Sequence, residues 1–228
     1  FGEFFAGCQH CVFSFVRLGQ QPDLGGAEQG WTRPTSDRLP LGCRFHRFSP
    51  DGQRVAVSFA VFAECAADLD CSARRFAAQP VSSGRKFDKL FVRHWDTWAD
   101  GSRNQLFVDS LQRGKASGKP VLVSRGIDGD VPSKPFGGTD DYNWTPDGSG
   151  LVFSARIAGR SEPWSTNFDL FLANVDSSEP AQNLTADNPA WDAAPVLDDK
   201  GRTLYYTAMR HPGFEAAGRE KRAERRIL

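Results

Sequence analysis

The sequence predicts an all-β fold: a partial β-propeller of four-stranded antiparallel blades, with a short insertion of helical composition. Three observations carry this reading. Residue usage favours strands and tight turns, because 18 Phe and 6 Trp stand beside 22 Gly and 14 Pro in 228 residues. A hairpin motif recurs along the chain. Each full copy is followed by two further β-rich runs, and four strands per repeated unit is the signature of a propeller blade. The other architecture compatible with these hairpins is a β-sandwich in which they recur by coincidence.

Residues 1–44 show no blade pattern and are left unassigned. The partial propeller spans 45–215. It opens with Phe48-Ser-Pro-Asp-Gly52, which leads into Arg54-Val-Ala-Val-Ser-Phe59. Proline presets φ, aspartate bonds the local backbone and glycine accepts positive φ, so the motif turns the chain between two strands. Trp144-Thr-Pro-Asp-Gly148 followed by Leu151-Val-Phe-Ser-Ala155 repeats the pattern, and Val196-Leu-Asp-Asp-Lys-Gly201 followed by Thr203-Leu-Tyr-Tyr-Thr-Ala208 is a weaker copy. In the first unit Asn104–Ser110 and Pro120–Ser124 read as third and fourth strands. Phe168–Val175 and Gln182–Thr185 take those places in the second.

The last two turns lie about one blade apart. The first two are nearly twice as far apart, so the first unit carries an insertion, placed at 63–98 between its second and third strands. Ala66–Gln79 is rich in Ala and Arg and reads as a short helix, and Lys89–Asp96 reads as a strand. Residues 216–228, a basic tail, hold five basic and two acidic side chains without a strand pattern, so a solvated helix or a disordered segment is expected there.

Charge narrows the function. Lys and Arg number 28, as do Asp and Glu, so the formal net charge is zero. A nucleic-acid or membrane-surface partner would need a basic field, and neither is expected. No apolar run reaches the roughly 18 residues of a membrane-spanning helix. The short run Cys11–Val16 lacks a preceding basic segment, so it does not read as a signal peptide.

The aromatic-x-Pro-Asp-Gly hairpins resemble the propeller repeats of TolB-type proteins and of prolyl-oligopeptidase-family serine peptidases. Asp88-Lys-Leu-Phe-Val-Arg-His-Trp-Asp-Thr-Trp-Ala-Asp-Gly101 and Gln105-Leu-Phe-Val108 resemble a segment of that family's bacterial dipeptidyl-peptidase and acylaminoacyl-peptidase-like members. So do Trp191-Asp-Ala-Ala-Pro195 and Ala208-Met-Arg-His-Pro-Gly-Phe-Glu215. The resemblance covers roughly residues 47–215. It implies a propeller paired with an α/β-hydrolase domain that carries the Ser-Asp-His triad on a Gly-x-Ser-x-Gly elbow, with no cofactor.

No such elbow occurs in the sequence, and Gly148-Ser-Gly150 falls in a hairpin turn. No catalytic residue is therefore carried over, and the chain alone is expected to be inactive. Both ends depart from the family pattern. This suggests a truncated or frame-shifted reading of a longer gene, the alternative being a small protein with novel ends.

Individual residues add candidates. Arg93, His94, Trp95, Asp96 and Trp98 combine a cation, an imidazole, a carboxylate and two indoles. They could line a substrate-binding surface, because the family's propeller abuts its active site, or simply pack between blades and meet solvent. Cys65 and Cys71, six apart in a polar insertion, are a disulfide candidate that would imply an oxidising compartment. Related peptidases with a paired-Cys insertion are often periplasmic, so a periplasmic or extracellular location is suspected. The alternative is two free thiols.

Cys8-Gln-His-Cys11 with Cys43 and His46 falls short of a zinc pattern, and no metal is expected. Asp128, Asp130, Asp140 and Asp141 lack calcium-ligand spacing and read as turn residues. Asn183-Leu-Thr185 fits a glycosylation acceptor. The expected role is that of a non-catalytic propeller gating access to a serine peptidase active site, meeting peptide substrate only in a full-length enzyme. The alternative is a TolB-like propeller mediating protein–protein interaction.

Overall fold

The computed structural model describes residues 45–209, apart from 79–83, 85, 89, 91, 95, 96, 114, 117, 118, 135, 158 and 177, together with the strand 221–226. The described strands are β1 (His46–Phe48), β2 (Arg54–Phe62), β3 (Arg93–His94), β4 (Thr97–Trp98), β5 (Ser102–Gln112), β6 (Lys115–Ala116), β7 (Val121–Leu122), β8 (Tyr142–Trp144), β9 (Gly150–Ala155), β10 (Asp169–Asn174), β11 (Gln182–Asn183), β12 (Asp192–Leu197), β13 (Thr203–Ala208) and β14 (Lys221–Arg226). Among the described residues one α-helix, α1 (Leu69–Ala77), lies between β2 and β3.

The first blade runs β1-β2-β5-β7, with β6 as a side hairpin on the end of β5; the second runs β8-β9-β10-β11. Every pairing within them is antiparallel. The third sheet is β12-β13-β14, and among the described residues the sheets do not close into a ring. The fold is thus an all-β partial propeller.

The blades match beyond the hairpin motif. Ser58 on β2 donates its hydroxyl to the Val131 carbonyl, and Ser154 on β9 donates to that of Asp192. The Leu106 amide donates to the Ser124 hydroxyl, and the Leu170 amide donates to that of Thr185. The two serine bonds reach from a blade's second strand to the segment that leads into or opens the next unit, and the two amide bonds tie third strand to fourth within each blade, at equivalent places in the two units.

Period-two alternation directs the packing. Ala56, Leu106, Val108, Val123 and Val131 of the first blade meet Tyr142, Trp144, Leu151, Phe153 and Phe171 of the second in one core. Val152, Leu170 and Leu184 carry that packing to Leu204 of the third sheet. The opposite face of the first blade buries Val55, Val57, Phe59, Val61 and Phe107, with Leu69 of α1 against it.

Two expectations need correction. Lys89–Asp96 is not one strand: among the described residues the pairing is a short β3–β4 hairpin, with Val92 in a bend. The basic segment after Glu215 does not stay outside the sheet. Its residues 221–226 pair along the whole of β13. Backbone N–H and C=O groups on an exposed edge pair with any extended segment, so no alternating side-chain pattern is needed.

Candidate functional site at the loop end

Strand direction divides the molecule into two ends. The Pro-Asp-Gly hairpins sit at one. The other, here the loop end, gathers the insertion after β2, the connection from β7 to β8 and the loop between β9 and β10.

At the insertion, the chain leaves Phe62 through a short 3₁₀ turn, Ala63–Cys65, and enters α1. The Asp68 carboxylate caps the helix by accepting from the Cys71 amide at 2.9 Å. Cys65 and Cys71 are joined by a disulfide with their Cα atoms 5.5 Å apart. The Ser72 hydroxyl accepts from the Phe62 amide, and Phe76 packs on Phe62 with ring centroids 4.6 Å apart.

Arg93 and Trp98 are register partners on β3 and β4. The guanidinium lies 5.4 Å from the indole centroid, and Phe87 stacks near Trp98 at 5.7 Å. Both Arg93 and Trp98 are exposed. The backbone of His94 pairs with Thr97. Trp95 and Asp96 lie outside the described residues, as do Cys8, Cys11 and Cys43.

The strongest polar cluster at this end was not anticipated. Arg103, at the start of β5, makes a bidentate contact with Glu162 from the β9–β10 loop, with two bonds of 2.6 Å. It also donates to Asp130 at 3.1 Å and lies 3.7 Å from Asp128. Lys134 pairs with Asp130 at 3.1 Å, and Arg156 approaches Glu162 at 3.9 Å. Asp130 further accepts from the Asn104 amide at 2.7 Å.

The hydrogen bonds to Glu162 raise the Arg103 pKa against the effect of burial. Burial pulls Glu162 upward, but the bonds and charge of Arg103 outweigh it and leave its carboxyl below the ordinary value. Asp130 is a partly buried junction between loop and strand rather than a turn residue alone. No spacing rule could find this cluster, since Arg103 and Glu162 are separated by 59 positions.

Asp141 is likewise more than a turn residue. It is nearly buried, and burial raises its pKa while it accepts from the Ser133 amide and hydroxyl at 2.8 and 3.0 Å. Gly137 closes this loop so tightly that a Cβ there would collide with Ser133 and Asp141. Gly148-Ser-Gly150 lies in the β8–β9 turn, where Asp147 binds the Ser149 hydroxyl and amide. That serine is a turn residue. Asn183 is exposed on the edge strand β11 and donates to Asp169 at 2.7 Å. Among the described residues no three of His, Cys, Asp and Glu are grouped to hold a metal ion, and no helix is long and apolar enough to cross a membrane.

No protein-family model matches the chain. Curated relatives do. Dipeptidyl-peptidase 5 of Aspergillus fumigatus is 30% identical over 167 residues, covering 67% of this chain and 22% of the relative. The probable dipeptidyl-peptidase 5 of Aspergillus terreus is 30% identical over 230 residues, covering 92% and 31%. The chain is a partial propeller related in sequence to dipeptidyl-peptidases. A bacterial dipeptidyl-peptidase 5, from Porphyromonas gingivalis, is 25% identical over 59% of the chain and 19% of the relative. The chain thus spans between about a fifth and a third of these relatives. Among solved structures, a putative TolB from Agrobacterium tumefaciens matches with a TM-score of 0.38 at 16% identity, covering 82% of this chain and 59% of that one.

Proposed function

We propose that this peptidase-related propeller is the non-catalytic part of a prolyl-oligopeptidase-family serine peptidase that releases dipeptides, and that it limits which peptides reach the catalytic chamber. The single observation carrying this reading is the similarity to dipeptidyl-peptidase 5 proteins, which reaches 92% of the chain at 30% identity. Arg93 and Trp98 are candidate peptide contacts, since an exposed guanidinium over an indole suits a mixed polar and apolar chain. The Cys65–Cys71 disulfide supports an oxidising location, periplasmic or extracellular.

The test has two arms. Purified chain, incubated with dipeptidyl- and aminoacyl-p-nitroanilides and a fluorophosphonate probe, should show neither turnover nor a labelled serine. Clear turnover or serine labelling would overturn the non-catalytic role. Sequencing the flanking DNA in all frames should reveal a Gly-x-Ser-x-Gly elbow downstream. Finding only further blades and a stop would instead favour a propeller that binds a protein partner.

A further inference from the structure

The loop between β9 and β10 folds around its own first residue. Arg156 donates to the Ser165 carbonyl at 3.1 Å and lies 5.3 Å from the Phe168 ring centroid. Backbone bonds from Glu162 to Gly159 and from Trp164 and Ser165 to Ser161 hold the turn between them. The loop reaches the first blade through Glu162, which grips Arg103. Trp164, two residues further on, is 70% exposed.

The charges on either side of this grip have a particular arrangement. Arg103 does not depend on Glu162 alone, because Asp130 lies 3.1 Å away on its own blade and Asp128 3.7 Å away. Glu162 does not depend on Arg103 alone, because Arg156 lies 3.9 Å away at the start of its own loop. Breaking a half-buried ion pair ordinarily strands two charges, and that desolvation cost is what makes such pairs hard to open. Here each charge keeps a partner on its own side.

We propose that the Arg103–Glu162 pair is a releasable clasp, and that the 156–168 loop is a strap with two charge-satisfied states, closed on Arg103 and open on Arg156. Two discrete, internally satisfied arrangements are what a switching element requires. Opening carries Ile157 and Trp164, both exposed, away from the first blade. The inference does not depend on the peptidase reading, because it concerns only groups within the described blades.

The test uses the full chain and follows trypsin cleavage after the exposed Arg160, with amide exchange of 156–168 measured in parallel. Glu162→Gln removes the grip and should speed cleavage by about tenfold or more, the scale of a lost charge-assisted bond. Asp130→Asn is the discriminating variant. Its amide oxygen still accepts from the Asn104 amide, but the open state loses the anion that Arg103 falls back on. The clasp should then hold tighter, and cleavage should slow several-fold. Faster cleavage in both variants would mean an ordinary structural network and overturn the proposal, as would an unchanged rate in Asp130→Asn. If Glu162→Gln does not fold, the sign of the Asp130→Asn effect decides alone.

Discussion

Tyr142 places its hydroxyl in the interblade core, fully buried and without a hydrogen-bond partner among the described residues. Burial pushes its phenol pKa up, and Arg47, with its guanidinium carbon 6.0 Å from the ring centroid, opposes that only in part. A buried hydroxyl without a partner costs stability that a phenyl ring of the same shape does not. Tyr142→Phe is therefore expected to raise stability by about 1 kcal/mol, read as a higher denaturation midpoint with an unchanged slope. A lower midpoint would show that the hydroxyl is satisfied. At this scale the sequence was informative about turns and silent about long-range charge. Ser49 and Thr145 bond to the aspartate two residues on, as short polar residues before Pro-Asp-Gly lead one to expect. Asp130 and Asp141 sit in similar stretches, yet their partners come from strand and loop positions that only folding brings near.

The insertion helix is a small element resting on one strand. It is closed by the Cys65–Cys71 bond, the Asp68 cap, Ser72 and the Phe62–Phe76 contact. In the chain-entropy picture, closing so short a loop contributes about 2 kcal/mol. Replacing both cysteines with serine should raise amide exchange within 69–77 while leaving β9 and β10 unchanged. Loss of protection across the second blade would instead make the bond a global support. Elements with a period of two or a helical composition were readable in advance. The strands of both blades fall where alternation and turns put them, and α1 lies inside the stretch of helical composition. The stretch from Lys89 to Asp96 was misread as a strand because its apolar residues fit one, whereas Leu90 and Val92 are exposed bends and the pairing begins only at Arg93. β14 was missed for the opposite reason, since its composition carries no strand signal and its pairing comes from the edge of β13.

As a whole, the described residues form an array with an open side. On the third sheet Val196 and Tyr205 are register partners, 52% and 47% exposed, on the face turned away from Leu204. In a repeat architecture such a face belongs against a neighbour. The chain is expected to self-associate with concentration in size-exclusion chromatography. The variant carrying Val196→Glu with Tyr205→Lys should shift it toward monomer, since the opposed charges suit a cross-strand pair. A concentration-independent monomer with one sharp melting transition would show the open face to be harmless. The repeat made the number of complete blades legible, but not how the blades grip one another, which depends on contacts between turns far apart in sequence. Gly148 sits against Pro50 of the preceding turn, and Gly201 against Pro146. The first two turns thus each offer a proline to the glycine of the turn that follows, as a tenon meets a mortise. The joint gives the array a direction, so a unit inserted backwards would find no seat. Where the third turn should offer its own tenon the sequence has Asp199, and whatever packs beside that sheet must meet it through a joint of a different shape.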